Sequence, residues 1–116
     1  MKKIAIAILM AGIVVAPAAA QNVSLRPNSG TVGLRSGFTP DPYTVRVQAG
    51  GSINGNSLPG NCTGMISDAP DFRLNYTAGS LPLVIKTVSG VDSTLVINGP
   101  DGRWYCDDDS NGNLDA

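Results

Sequence analysis

Histidine and glutamate are both absent from these 116 residues, and cysteine occurs only twice. Without histidine there can be no Ser-His-Asp relay and no imidazole to activate a thiol or complete a zinc site. A Ser-Lys pair would have to use Lys86, the only lysine after residue 3, which stands in an alternating run where an outward, solvated side chain is expected. The missing glutamate makes every acidic side chain an aspartate, which favours turns and caps over helix interiors, and this weighs against helices. Aromatic residues are 5% of the chain. That leaves few rings to line a sugar cleft, across which a glycosidase would hold two carboxyls about 5–9.5 Å apart. No basic stripe is present to neutralise phosphates, which disfavours nucleic acid. The expectation is a protein without catalytic residues.

What is present begins with a leader. Lys2 and Lys3, the apolar run 4–15 and the A-x-A pattern at Ala18 and Ala20 make the three parts of a secretory signal peptide, with the mature chain starting at Gln21. Gly12 and Pro17 interrupt the stretch, which is shorter than the roughly 20 apolar residues of a spanning helix. The expected location is a bacterial periplasm or beyond it, with no membrane span after cleavage. Removing 20 of 116 residues leaves 96, in which six basic side chains face nine aspartates for a net charge of −3. One domain, 21–116, fits that length. A domain of this size buries only about 60–70% of the surface its unfolded chain exposes, so it gains from a covalent staple.

Cys62 and Cys106 supply one. They lack C-x-x-C spacing, and in an oxidising compartment a pair of this kind reads as a structural disulfide. On the chain-entropy model, closing a loop of that length contributes about 4 kcal/mol.

Glycine and proline recur at short intervals, and strand-like runs fill the gaps. Residues 43–48 and 72–77 alternate apolar and polar side chains, with Phe72, Leu74 and Tyr76 sharing one face. Residues 83–88 and 94–98 are rich in β-branched side chains, as interior strands tend to be. A turn over 98–102, built on Pro100-Asp101-Gly102, leads into a short strand over 103–106. Trp104 and Cys106 fall on one face of it, so the indole is expected beside the disulfide, with Arg103 and Tyr105 pointing the other way. Segments 21–42 and 49–61 read as loops or irregular edges. The fold class is therefore all-β, with a two-sheet sandwich of short antiparallel strands as the expected architecture.

The end of the chain carries the most specific chemistry. Asp107, Asp109 and Asn111 alternate, Gly112 follows, and Asn113 and Asp115 come next. This is the opening of a calcium loop, in which alternate residues turn oxygens inward and glycine permits the bend. The predicted ligands are the side chains of Asp107, Asp109, Asn111 and Asp115 with the backbone carbonyl of Asn113. Asp101 would join if the hairpin tip folded toward the loop. The twelfth loop position, where a bidentate Glu would stand, is 118. The expected Ca²⁺ affinity is accordingly that of extracellular modules, about 10⁻⁴ to 10⁻³ M.

Asp92, Leu95, Ile97, Pro100, Asp101, Gly102, Asp108 and Asp109 follow a D-x-x-L-x-L strand, a P-D-G hairpin and a D-D element. In this, 89–109 resembles the bacterial pre-peptidase C-terminal domain. Gly37-Phe38-Thr39-Pro40-Asp41-Pro42, Cys62-Thr63-Gly64 and Ala69-Pro70-Asp71 are similar to small exported bacterial proteins built on such a module, some of them labelled serine peptidases. The resemblance implies a jelly-roll-like β-sandwich accessory module, calcium-binding in some relatives and attached to or released with secreted hydrolases. Relatives continue past the acidic loop into a Pro-x-x-G-x-Y hairpin that closes a sheet. Here the expectation is an open edge, another part of this chain in that place, or a strand from another chain. The expected role is structural or adhesive, toward a surface polymer or another exported protein. The alternative is an accessory or inhibitor of a secreted peptidase or hydrolase.

Overall fold

The structure is a computed structural model that describes residues 21–60 and 62–108. The expected leader, Asn61 and the residues from Asp109 onward lie outside the described residues. Among the described residues, six short strands form three two-stranded sheets, and the one helical element is the 3-10 turn Gly55–Ser57. The all-β expectation holds at this level.

Strand β1 (Thr31–Arg35) pairs in parallel with β4 (Arg73–Thr77), from Thr31 opposite Arg73 to Arg35 opposite Thr77. Val32 and Leu34 turn toward the same half-buried side as Leu74 and Tyr76, so period-two patterning sets the register. The pairing continues irregularly before β1. Asn28 N–H donates to the Pro70 carbonyl at 2.9 Å, Ser29 N–H to the Asp71 carbonyl at 2.8 Å, and Asn22 N–H to the Asp68 carbonyl at 2.8 Å. The Arg73 guanidinium donates to the Val23 and Leu25 carbonyls at 2.7 and 3.2 Å, tying this extension down.

The second sheet is a two-residue pair, β2 (Ile53–Asn54) with β3 (Met65–Ile66). Asn54 caps the 3-10 turn by accepting from Asn56 N–H at 2.9 Å, and Gly55 N–H donates to the Gly64 carbonyl at 2.7 Å. A side chain at Gly51 would run into the backbone of Ile66, so only glycine lets the chain pass there. The third sheet is the hairpin of β5 (Leu95–Asn98) and β6 (Trp104–Asp107). The Cys62–Cys106 disulfide is present, with Cα atoms 5.3 Å apart. It docks the loop after the 3-10 turn onto β6, where a Cβ on Gly60 would stand 3.2 Å from the Trp104 carbonyl oxygen.

The buried hydrophobic side chains among the described residues are Ile53, Leu58 and Cys62, all on the stretch that runs from β2 to the disulfide. Trp104 and Cys106 are half-buried on one face of β6, while Arg103 and Tyr105 are exposed, as alternation predicts.

Three sequence expectations are corrected. The strands are not all antiparallel, because β1 and β4, 42 positions apart, run side by side in the same direction. Residues 43–48 and 83–88, read as strands, belong to no strand, and Tyr43, Val45, Val47, Val84, Ile85 and Val88 are exposed. The alternation of 43–48 and the β-branched content of 83–88 are real, but a strand also needs a neighbour for its backbone donors and acceptors, and the described residues supply none in strand register. Residues 31–35, read within a segment of loops or irregular edge strands, form the regular strand β1 because β4 lies alongside. The boundaries of β4, β5 and β6 otherwise fall within a residue or two of the expected runs.

Gly51→Ala should destabilise the protein by about 1–3 kcal/mol, as overpacking does, and release the β2–β3 pair. Urea unfolding with an amide spectrum would show this, and an unchanged midpoint would contradict the close approach.

Candidate functional site

The hairpin carries the charged chemistry that the sequence singled out, at two separate ends. At the tip, Gly99 N–H donates to the Arg103 carbonyl at 2.8 Å and Gly102 N–H to the Gly99 carbonyl at 2.9 Å. Gly102 has φ +81°, a left-handed conformation that glycine adopts freely and that lets the turn close. Asp101 accepts from Arg103 N–H at 3.0 Å and from the Tyr105 hydroxyl at 2.8 Å. The Arg103 N–H foremost, and then the Tyr105 hydroxyl, hold the Asp101 carboxyl below its ordinary range. The same hydrogen bond to Asp101, more than desolvation or charge, pushes the Tyr105 phenol up. The Arg103–Asp101 ion pair, at 3.7 Å with both side chains largely in solvent, adds little.

At the far end, the Thr94 hydroxyl donates to Asp108 at 3.0 Å, and a Cβ on Gly64 would stand 3.2 Å from the Thr94 hydroxyl oxygen. The disulfide-bearing loop therefore reaches the hairpin close to the start of the acidic run. Asp107 ends β6 opposite Leu95 and is half-buried.

Of the expected calcium ligands, Asp107 is the one that the structure describes. Asp109, Asn111, Asn113 and Asp115 lie outside the described residues. Among the described residues no group of three or more carboxylates or cysteines is placed to hold a metal ion. Asp101 does not join Asp107. The pairing puts Asn98 opposite Trp104 next to the tip and Leu95 opposite Asp107 at the other end, about 10 Å of strand away. Asp92 is exposed in the bend before β5, and Lys86 is exposed as expected of a solvated side chain.

Sequence reasoning missed Thr94 and the inward reach of Tyr105. The signal for the second was available: four positions separate Asp101 from Tyr105, and a tight turn folds such a pair back on itself. For Thr94 the sequence held no comparable signal, because its partner is set by hairpin register.

Compared with family models, curated proteins and solved structures, the chain matches none. Among the described residues no helix is long and apolar enough to cross a membrane.

The tip makes a pH prediction with a fixed sign. Because the folded Asp101 pKa lies below the ordinary 3.8, its stabilisation is present above that value and lost as pH falls through the lowered one. Tyr105 is the mirror case: its contribution is present below 10.0 and lost as pH rises through the raised value. Tyr105→Phe should therefore move the Asp101 carboxyl titration, followed by ¹³C NMR, upward toward 3.8. A titration unmoved by the substitution would contradict the hydrogen bond.

Proposed function

We propose that this chain is an exported, non-catalytic β-sandwich module with a structural or adhesive role. The observation that carries this reading is the exposure of the two strand-like runs, 43–48 and 83–88. Val45 and Val47 are 40% and 46% exposed, and Val84 and Val88 are 76% and 81% exposed. Side chains of this kind in strand-like order on a surface favour addition of further β-strands. Isolated two-stranded sheets are at best marginal in water, so strands contributed by polypeptide outside the described residues would convert the three small sheets into the layers of a jelly-roll-like sandwich. The disulfide agrees with an oxidising location beyond the cytoplasm.

In this reading the resemblance to pre-peptidase C-terminal modules extends to calcium. Asp107 opens a loop completed by Asp109, Asn111, Asn113 and Asp115, and the ion offsets the mutual repulsion of Asp107, Asp108 and Asp109. Trp104 stands three residues before the loop on the same strand and serves as its reporter. The partner is another exported protein or a surface polymer.

Two measurements test this. Fluorescently labelled protein should bind isolated bacterial envelope material, and Val45→Asp with Val88→Asp should reduce that binding several-fold at unchanged melting temperature. An intact wild type that does not bind, or variants that bind equally, would overturn the adhesive role. Calcium should change the Trp104 emission with a Kd of about 10⁻⁴ to 10⁻³ M, and Asp107→Asn should weaken that response. Emission that stays flat through about 10 mM Ca²⁺ would remove the ion from the account.

A further inference from the structure

A second site lies away from the hairpin, in the bend that follows β1. Ser36 is its keystone. Its N–H donates to the Thr77 carbonyl at 3.0 Å, at the end of the β1–β4 pair, and its hydroxyl accepts from Leu81 N–H at 3.1 Å. A Cβ on Gly79 would come within 2.6 Å of the Ser36 Cβ, so glycine is what lets the segment after β4 fold back over β1. Phe38 N–H donates to the Arg35 carbonyl at 3.0 Å across a turn in which Gly37 has φ +83°. These contacts bring Phe38 with Asp41, Tyr76, and Leu81 to the same place from three stretches of backbone.

The result is a cleft of about 170 Å³ whose walls include Phe38, Tyr76, Asp41, Leu81, Leu83 and Val84. The Phe38 and Tyr76 rings stand at 87° with centroids 6.5 Å apart, so two perpendicular aromatic planes bound one corner. Asp41 is the single charged residue of the lining. Arg35 lines a separate depression on the β1–β4 surface and does not enter this one.

We propose that this cleft binds a small organic cation, a trimethylammonium head group being the chemistry that fits. Aromatic rings attract a diffuse positive charge through their quadrupole, and a nearby carboxylate adds to that field. The alternatives fit less well. A hard metal ion needs several oxygens and would find one carboxylate among apolar walls. An anion would face Asp41 with no cationic side chain in the lining to offset it. A neutral apolar group would fill the walls but gain nothing from the carboxylate. The volume is below the roughly 300–1,000 Å³ typical of sites for whole drug-sized ligands, which points to a head group.

The cleft shares Val84 with the exposed run of the adhesive reading, so its test uses neither Val45 nor Val88 and reads ligand binding alone. The mature protein would be titrated with choline chloride, with its uncharged isostere 3,3-dimethylbutan-1-ol, and with sodium chloride at matched ionic strength, following the Phe38 and Tyr76 ring protons by NMR. Choline should bind with a Kd of about 1–10 mM, in keeping with so small and open a site. The isostere should bind at least about fivefold more weakly, as the loss of a cation–π and carboxylate contribution requires. Asp41→Asn and Phe38→Leu should each weaken choline about three- to tenfold with the fold retained, and Asp92→Asn, outside the cleft lining, should not. A parallel arm with phosphatidylcholine vesicles assigns the source: sedimentation with vesicles that Asp41→Asn abolishes marks a lipid head group, whereas choline binding without it marks a free solute. Equal binding of the isostere, or ring protons that respond to choline no more than to sodium chloride, would overturn the proposal.

Discussion

The Cys62–Cys106 bond carries more of this structure than a staple usually does, because so little apolar surface is buried around it. Ile53, Leu58 and Cys62 form the buried hydrophobic cluster among the described residues, and all belong to the segment that the disulfide pins to β6. Burying one such aliphatic side chain contributes about 1.5–3 kcal/mol, so the chain-entropy contribution of the bond, about 4 kcal/mol, is comparable to the whole cluster. Glycine makes the close contact possible. Gly60 and Gly64 lie against Trp104 and Thr94, and side chains there would press on the hairpin that Cys62 must reach.

The rest of the architecture is held by local polar contacts, and these divide the molecule in two. Ser36, Arg73 and the backbone bonds of 22–29 to 68–71 organise the β1–β4 half without help from the disulfide. The hairpin half depends on the covalent tie and on the turn chemistry of Asp101. Asp101, Asp107 and Asp108 are on the hairpin, and Asp41 is the one charged residue that lines the aromatic cleft. The two ends of the hairpin also do different work. Asp101 is spent on closing the turn, through Arg103 N–H and the Tyr105 hydroxyl, whereas Asp107 and Asp108 open the acidic run.

The features legible from sequence were those determined locally. The hairpin was readable because Pro100-Asp101-Gly102 encodes its own turn and the flanking runs are β-branched. Strand β4 was readable from the alternation of Leu74 and Tyr76, and the cysteine pair from its compartment and spacing. Strand β1 was not, because Gly33 interrupts its alternation and its parallel partner is 42 positions away, a separation that local pattern does not encode. Residues 43–48 and 83–88 show the converse. The alternation of the first and the β-branched content of the second suit a strand, but carry no information on whether a neighbouring backbone exists. The candidate calcium site was legible as a spacing beginning at Asp107, while the exclusion of Asp101 from it needed the hairpin register.

The dependence of the hairpin half on one covalent bond is tested most directly by amide hydrogen exchange before and after reduction. Protection at Ile53, Ile66, Val96 and Tyr105 should collapse together once Cys62–Cys106 is reduced, while protection in residues 31–35 and 73–77 persists. Protection at those four amides that survives reduction would show that packing alone holds the loop on the hairpin, and would contradict the account.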